Sequence, residues 1–367
     1  MTKIGILTIH SAHNYGAMLQ AYATKAFLMK HEKCVDIINY QPAFLDYPYK
    51  AFNIDRMFRS KRPKYLVPAI IREFSLYWLR KKRRIRFEDF FNKYICPNMI
   101  PVMTIPSDYD IYIVGSDQVW NTDITLTYEK PYFADFPFPH ESKRYISYAS
   151  SLGKDSLNNY EINEFSKMLK NFDCISVREN SARKLLQPLV SKNIKVVLDP
   201  TLLLNRKDWN AICSSKRIIN EKYVLVYQIF ENPNVLLKAK NIAQEIGARV
   251  FQLVAWPNRA LSDQENLQGP SDFVSLIRDA DFVVTTSFHG TAFSVIFEKD
   301  FYVVRLNNGR DGRAENLLSS INLQNRIVEL NENVFFSKID YSEARGLLEQ
   351  QKDESSEYLL SSIYGND

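Results

Sequence analysis

Cysteine, glycine, proline and long apolar runs are all scarce in this 367-residue chain, and each scarcity excludes a class of protein. The four cysteines (Cys34, Cys96, Cys174, Cys213) lie far apart with no C-x-x-C pair. They read as reduced thiols of a cytoplasmic protein and argue against a disulfide scaffold or a cysteine-based zinc site. Eleven glycines and fifteen prolines are too few for a collagenous or low-complexity chain. Nowhere do about eighteen apolar residues run together, so no transmembrane helix is expected. The N-terminal apolar run covers only residues 4–9 and lacks a small-residue cleavage site, unlike a signal peptide. Three nucleotide and hydrolase signatures are missing as well. No G-x-G-x-x-G follows the first apolar run, no G-x-x-x-x-G-K-[ST] occurs, and Gly115-Ser116-Asp117 is not G-x-S-x-G. His10 and His13 have no nearby acidic or cysteine partner, so no metal site is expected.

What is present is an ordinary globular composition, 46% hydrophobic and 24% charged, at a length that suggests two domains. The net charge of +5 is unevenly placed. Residues 56–86 hold twelve Lys and Arg against one acid, Glu73, so the rest of the chain is net acidic. Apolar and aromatic residues such as Phe58, Ile71, Phe74 and Trp78 are interleaved with these cations. A basic helix with an aromatic face suits an anionic membrane surface. It equally suits a helical insertion that packs its aromatics on the body and leaves its cations solvated. Nucleic acid is not expected as a partner, because no nucleic-acid-binding fold is legible.

Apolar runs alternate with helical spacing along the chain. Strands are expected at residues 3–9, 35–40, 111–114, 144–149, 173–177 and 195–198, with helices between. After a connection at about 200–220, strands recur at 223–229, 249–254, 281–285 and 301–306, and a helix closes the chain at 338–364. Such alternation implies parallel sheets. The fold class is therefore α/β. The first domain is expected over residues 1–205, with a helical insertion at about 42–107. The second is expected over 206–367, including the C-terminal helix. Ligands of open parallel sheets bind beyond the carboxyl ends of the strands, and two such domains place a cleft between them.

The strand-end loops are dense in hydroxyls, amides, glycine and charge: residues 10–16, 115–121, 150–153, 178–180 and 286–291. The last is the most suggestive, because Val283-Val284-Thr285-Thr286 runs through Ser287-Phe288-His289-Gly290 into a helix expected from Thr291. A strand-to-helix turn aims backbone N–H groups at the cleft and makes an anion site. An imidazole there can act as acid or base near neutral pH. His289 can equally be a histidine that only hydrogen-bonds backbone.

Five motifs in order carry a resemblance. They are Asn14-Tyr15-Gly16-Ala17, Gly115-Ser116-Asp117-Gln118-Val119-Trp120-Asn121, Ser176-Val177-Arg178-Glu179, Asp199-Pro200-Thr201-Leu202-Leu203 and Thr286-Ser287-Phe288-His289-Gly290-Thr291. Together, over residues 3 to about 320, the chain resembles the polysaccharide pyruvyl transferase family. That resemblance implies a GT-B-like fold of two Rossmann-like domains facing across a cleft. It implies transfer of pyruvate from phosphoenolpyruvate to two hydroxyls of a sugar as a cyclic ketal, with release of phosphate. The sugar would belong to a lipid-linked or surface-polysaccharide precursor. It implies no cofactor and no metal. His289 matches the family histidine as acid or base. Arg178, Ser287, Gly290, Arg310 and Arg313 are expected at the donor, with Arg305 as an alternative cation. His13, Asn14, Gly16, Ser116, Asp117 and Trp120 are expected to line the acceptor side or the cleft, although a packing or turn role suits several of them equally. One departure stands out: where many members have Arg-Leu-His, this chain has Ser287-Phe288-His289. That puts the identity of the donor in doubt: one anion contact is either lost or supplied elsewhere, by Arg310 or Arg313. Two other functions fit the same architecture, a nucleotide-sugar-dependent glycosyltransferase and a non-catalytic glycan-binding protein. The expected location is cytoplasmic, at the inner membrane face if residues 56–86 touch lipid.

Overall fold

The computed structural model describes residues 2–32, 34–58, 66–96, 101–140, 142–307 and 311–365. Two all-parallel sheets organise them. In the first lie β1 (Lys3–Leu7), β2 (Cys34–Ile37), β3 (Ile111–Val114), β4 (Arg144–Ser150), β5 (Cys174–Val177) and β6 (Ile194–Val196), in the order β2-β1-β3-β4-β5-β6. The second holds β7 (Tyr223–Gln228), β8 (Arg249–Val254), β9 (Phe282–Thr285), β10 (Phe301–Arg305) and β11 (Ile327–Glu329), in the order β11-β10-β9-β7-β8. Every pairing is parallel. The strands Ile111–Val114 and Phe282–Thr285 are buried at every residue, which is why they read as unbroken apolar runs.

Both sheets thus share one winding, in which the first strand lies between the second and the third. The winding reverses between β1 and β3 in one domain and between β7 and β9 in the other. A crevice opens beyond the strand ends at such a reversal. The two Rossmann-like domains face each other with these crevices opposed.

An apolar seam holds them together. Tyr15 of the first domain stacks on Phe273 of the second at 4.8 Å and meets Tyr227 edge-on at 5.8 Å. Its hydroxyl donates to the Gln268 carbonyl at 3.0 Å. The insertion adds a 25-residue helix, Leu66–Phe90, whose buried residues Glu73, Leu76, Arg83, Phe87 and Phe90 fall on one face. Arg83 is nearly fully buried and crosses the seam, donating to the carbonyls of Val254 and Asn266 at 2.9 Å each.

The C-terminal helix, Ser342–Tyr364, follows the second domain in the chain but returns to the first. Ser355 accepts the Leu198 N–H at 3.0 Å, and the Tyr364 hydroxyl donates to Glu32 at 2.6 Å. The elements outside the sequence expectations include the three-residue strand β11, the helix Gly312–Ser320 and several single-turn helices such as Thr122–Thr125 and Asp263–Asn266. The helix expected from Thr291 starts at Phe288, so His289 and Gly290 lie within its first turn.

Candidate active site

A cavity of about 660 Å³ fills the opposed crevices. The loops after β1 and β3 supply Asn14, Asp117 and Gln118. Those after β7 and β9 supply Phe230, Ser287 and His289, and Arg313 follows β10. The connection over residues 43–49 and Trp256 form the outer wall, where Tyr49 stacks on Trp256 across the cleft at 4.9 Å and 10°.

His289 sits at the floor. Burial lowers its pKa to about 4 against the pull of Asp199 and Asp117, so the imidazole is neutral at pH 7. Its Nε2 is buried without a hydrogen-bond partner and lies 3.9 Å from Asp199 Oδ2. The other side of the ring rests on Gly16, where any Cβ would overlap the imidazole. The helix Tyr15–Leu28, capped by Asn14, and the helix Phe288–Ile296 therefore bring their N-termini together at this ring. The first N–H groups of each lack intrahelical acceptors, and both dipoles favour negative charge here.

Asp199 is the hub behind the histidine. It is fully buried and accepts from Arg178 at 2.7 Å, Ser116 at 3.2 Å and the Thr201 hydroxyl at 2.7 Å. Burial opposes its charge, but Arg178 and His289 hold its carboxyl below the usual range. Arg178 also approaches Asp117 at 3.5 Å and lies over the Phe288 ring at 4.8 Å. Asp117 takes a left-handed backbone (φ 67°), and its carbonyl accepts the Ser151 N–H at 2.9 Å. Strain of this kind at a non-glycine residue is held only where the surroundings over-determine it.

Arg313 is different from Arg178. It is partly buried, faces the cavity, and has no carboxylate within 4 Å among the described residues. Burial and the nearby Arg178 lower its pKa to about 10, so it stays charged at neutral pH. A guanidinium with no direct ion pair, on the same cavity wall as two helix N-termini, has the chemistry to receive an anion.

The cavity wall holds His289, Ser287, Arg313, Asn14 and Asp117 of the expected site residues. Other expected residues take different places. Arg178 does not reach the cavity, because Phe288 lies between, and its charge is neutralised by Asp199 and Asp117. Ser116 is buried and positions Asp199. Gly16 underlies His289, and Gly290 allows close packing on Thr285. Trp120 is core: it stacks on Phe133 at 5.9 Å and donates to the Tyr132 carbonyl at 2.8 Å. His13 stands behind Tyr49, stacked on Phe87 at 5.4 Å, and burial lowers its pKa to about 4. Arg305 is held outside by Glu315 and Glu329 at 2.6 Å each. Arg310 lies outside the described residues. His10 bonds the Thr8 carbonyl and Asn39, at 2.8 and 3.1 Å.

Asp199, Gln118, Tyr49 and Trp256 were not singled out by sequence. Asp199 and Gln118 sit inside two of the ordered motifs and were discoverable there. Tyr49 ends a single 3-10 turn and Trp256 lies in an irregular connection, and neither carries a local signal.

Several solved structures are similar in fold at low identity. A UDP-N-acetylglucosamine 2-epimerase from Rickettsia bellii is 10% identical, with TM-score 0.46 over 100% of this chain and 96% of its own. S. aureus MnaA, in a co-structure with UDP, is 12% identical, with TM-score 0.48 over 100% and 97%. The UDP-GlcNAc 2-epimerase of Methanocaldococcus jannaschii, in complex with UDP-GlcNAc and UDP, is 10% identical, with TM-score 0.42 over 99% of each chain. No curated protein matches the chain in sequence. The family model for polysaccharide pyruvyl transferase matches residues 14–308, well over half of the chain and all five of the ordered motifs. The chain belongs to the polysaccharide pyruvyl transferase family.

Proposed function

We propose that the protein transfers pyruvate from phosphoenolpyruvate to two hydroxyls of a sugar in a polysaccharide precursor, forming a cyclic ketal and releasing phosphate. The observation that carries this reading is the pairing, on one cavity wall, of a neutral His289 whose Nε2 has no partner with an Arg313 that makes no direct ion pair among the described residues. The donor brings a phosphate and a carboxylate. Arg313 and the two helix N-termini supply cationic and N–H contacts for them.

A neutral imidazole is prepared to accept a proton, so His289 takes one from an attacking hydroxyl. Asp199, 3.9 Å from Nε2, stabilises the imidazolium so formed. Over the whole reaction two C–O bonds form at the enol carbon and the C–O bond to phosphate breaks. One hydroxyl proton ends on the methylene carbon, which becomes methyl, and the other on phosphate. Arg178 acts at one remove, fixing Asp199 and Asp117.

The test is a thermal-shift titration with phosphoenolpyruvate beside a panel of nucleotide sugars, followed by a phosphate-release assay with a panel of sugar glycosides. A ligand of the native state raises the melting temperature as ln(1 + [L]/Kd) grows. Phosphoenolpyruvate is expected to stabilise the wild type. Arg313→Ala should weaken that binding by roughly 10- to 100-fold, the worth of a charge-assisted contact. Stabilisation by a nucleotide sugar alone, with no phosphate released, would overturn the proposal in favour of glycosyl transfer.

A further inference from the structure

The long helix of the insertion buries one face and leaves another without a partner. Val67, Ile71, Phe74 and Trp78 follow one another at spacings of three or four and are 63, 63, 61 and 65% exposed. Ile54 and Phe58 of the preceding short helix are 58 and 59% exposed. Six large apolar side chains in so short a stretch are not the scattered exposure of an ordinary surface.

The described cations of the same segment divide into two sets; Arg59, Lys61, Arg62 and Lys64 lie outside the described residues. Arg56 and Arg80 are held by the buried Glu73, Arg84 by Asp46 and Glu88, and Arg83 by carbonyls of the second domain. Arg72, Lys81, Lys82 and Arg86 remain exposed. Among the described residues only Lys82 meets a carboxylate, Asp263, at 3.7 Å across solvent. Lys81 lies over the Trp78 ring at 5.2 Å, at the border between the apolar stripe and the charges.

We infer that this face docks the protein on an anionic lipid bilayer, with the stripe entering the headgroup boundary and the exposed cations that flank it, Lys81, Lys82 and Arg86, meeting acidic headgroups. Charge decides the occupant. A second copy of the chain, meeting the same face about a two-fold axis, would bring an equally basic face against it. An acidic lipid surface complements both halves of the face. No helix among the described residues is long and apolar enough to cross the bilayer, so the contact is peripheral. The face also continues into the cleft. Phe74 packs on Phe52 at 5.4 Å, and the chain runs back from Phe52 to Tyr49 and Pro48 in the cavity wall. Docking would bring the cleft mouth to the headgroups.

This docking needs nothing from the donor site, so it stands or falls apart from pyruvyl transfer. The full chain is sedimented with phosphatidylcholine vesicles, with and without phosphatidylglycerol, at low and at physiological salt. Binding is expected only to the anionic vesicles, falling as salt rises. Lys81→Gln with Lys82→Gln and Arg86→Gln should weaken it on the order of 100-fold. Ile71→Gln and Trp78→Gln should each weaken it about tenfold or more. Trp78 emission should shift to the blue on binding, a signal that Trp78→Phe removes while sedimentation persists. Unchanged melting temperatures certify that the variants are folded. Three results would overturn the inference: no sedimentation of folded wild type, equal sedimentation with neutral vesicles, or a lipid-free dimer that Trp78→Gln dissolves.

Discussion

At the scale of single residues, His289 depends on neighbours that shape it from three sides. Gly16 leaves room for the ring, Asp199 faces Nε2, and burial keeps the imidazole neutral. His289→Gln removes the proton acceptor with little change of volume. Phosphate release should fall by about 10²- to 10⁴-fold, the usual worth of a general base, while the melting temperature at pH 7 holds. A fall in both would mean a packing role instead. Gly16→Ala forces a methyl group against the ring and should destabilise by about 1–3 kcal/mol, read as a lower denaturant midpoint with unchanged m-value. These residues also show what a motif can hide. Arg178 stands in a quoted motif, yet Phe288 closes it off from the cavity, whereas Arg313 stands in no motif and faces it.

Elements decide which of the described cations of the insertion matter for folding. The helix Leu66–Phe90 turns Arg83 inward, over Tyr15 and Phe87 at 5.0 and 5.2 Å, and against carbonyls of the second domain. Arg83→Met keeps the apolar packing and abandons those carbonyls. It should cost at least about 2 kcal/mol and speed hydrogen exchange along the seam, whereas Arg86→Gln should change neither. Exchange unaltered by Arg83→Met would show that the seam rests on Tyr15 and Phe273 alone. In sequence the basic run is uniform, because charge carries no record of which side of a helix meets the body. The helix Gly312–Ser320 escaped for a related reason. It is short, and only Ala314, Leu317 and Leu318 are buried, too few to mark a period.

The whole molecule inherits a pH response from histidines buried uncharged on the two sides of the cleft. His289 and His13 both fall to about 4 in the fold, against about 6.5 in the unfolded chain. Between those values the unfolded chain binds protons that the folded one does not. Stability is therefore full above about pH 6.5 and is lost as pH falls toward 4, by on the order of 3 kcal/mol for each histidine. Denaturant melts at pH 7 and pH 5 should show the loss, and His289→Gln should reduce it. An equal pH dependence in that variant would assign the loss to other groups. Burial of His289 follows from domain closure, since its ring rests on Gly16 of the opposite domain, whereas His13 is covered by Tyr49 and Phe87 of the insertion in its own domain.

By itself, the sequence determined the α/β class, ten of the eleven strands and the family. Strands buried on both faces read as continuous apolar runs, and the chemistry-bearing loops follow their carboxyl ends in order. Those properties are local, so each segment displays them alone. Only the tertiary structure decided that Asp199 stands behind His289, that Arg313 faces the cavity while Arg178 is neutralised, and that Trp120 is core. It also decided that Tyr49 and Trp256 meet across the cleft. Each of those facts depends on how two domains close and on which side of an element faces its neighbour, and these are set by packing between segments distant in the chain.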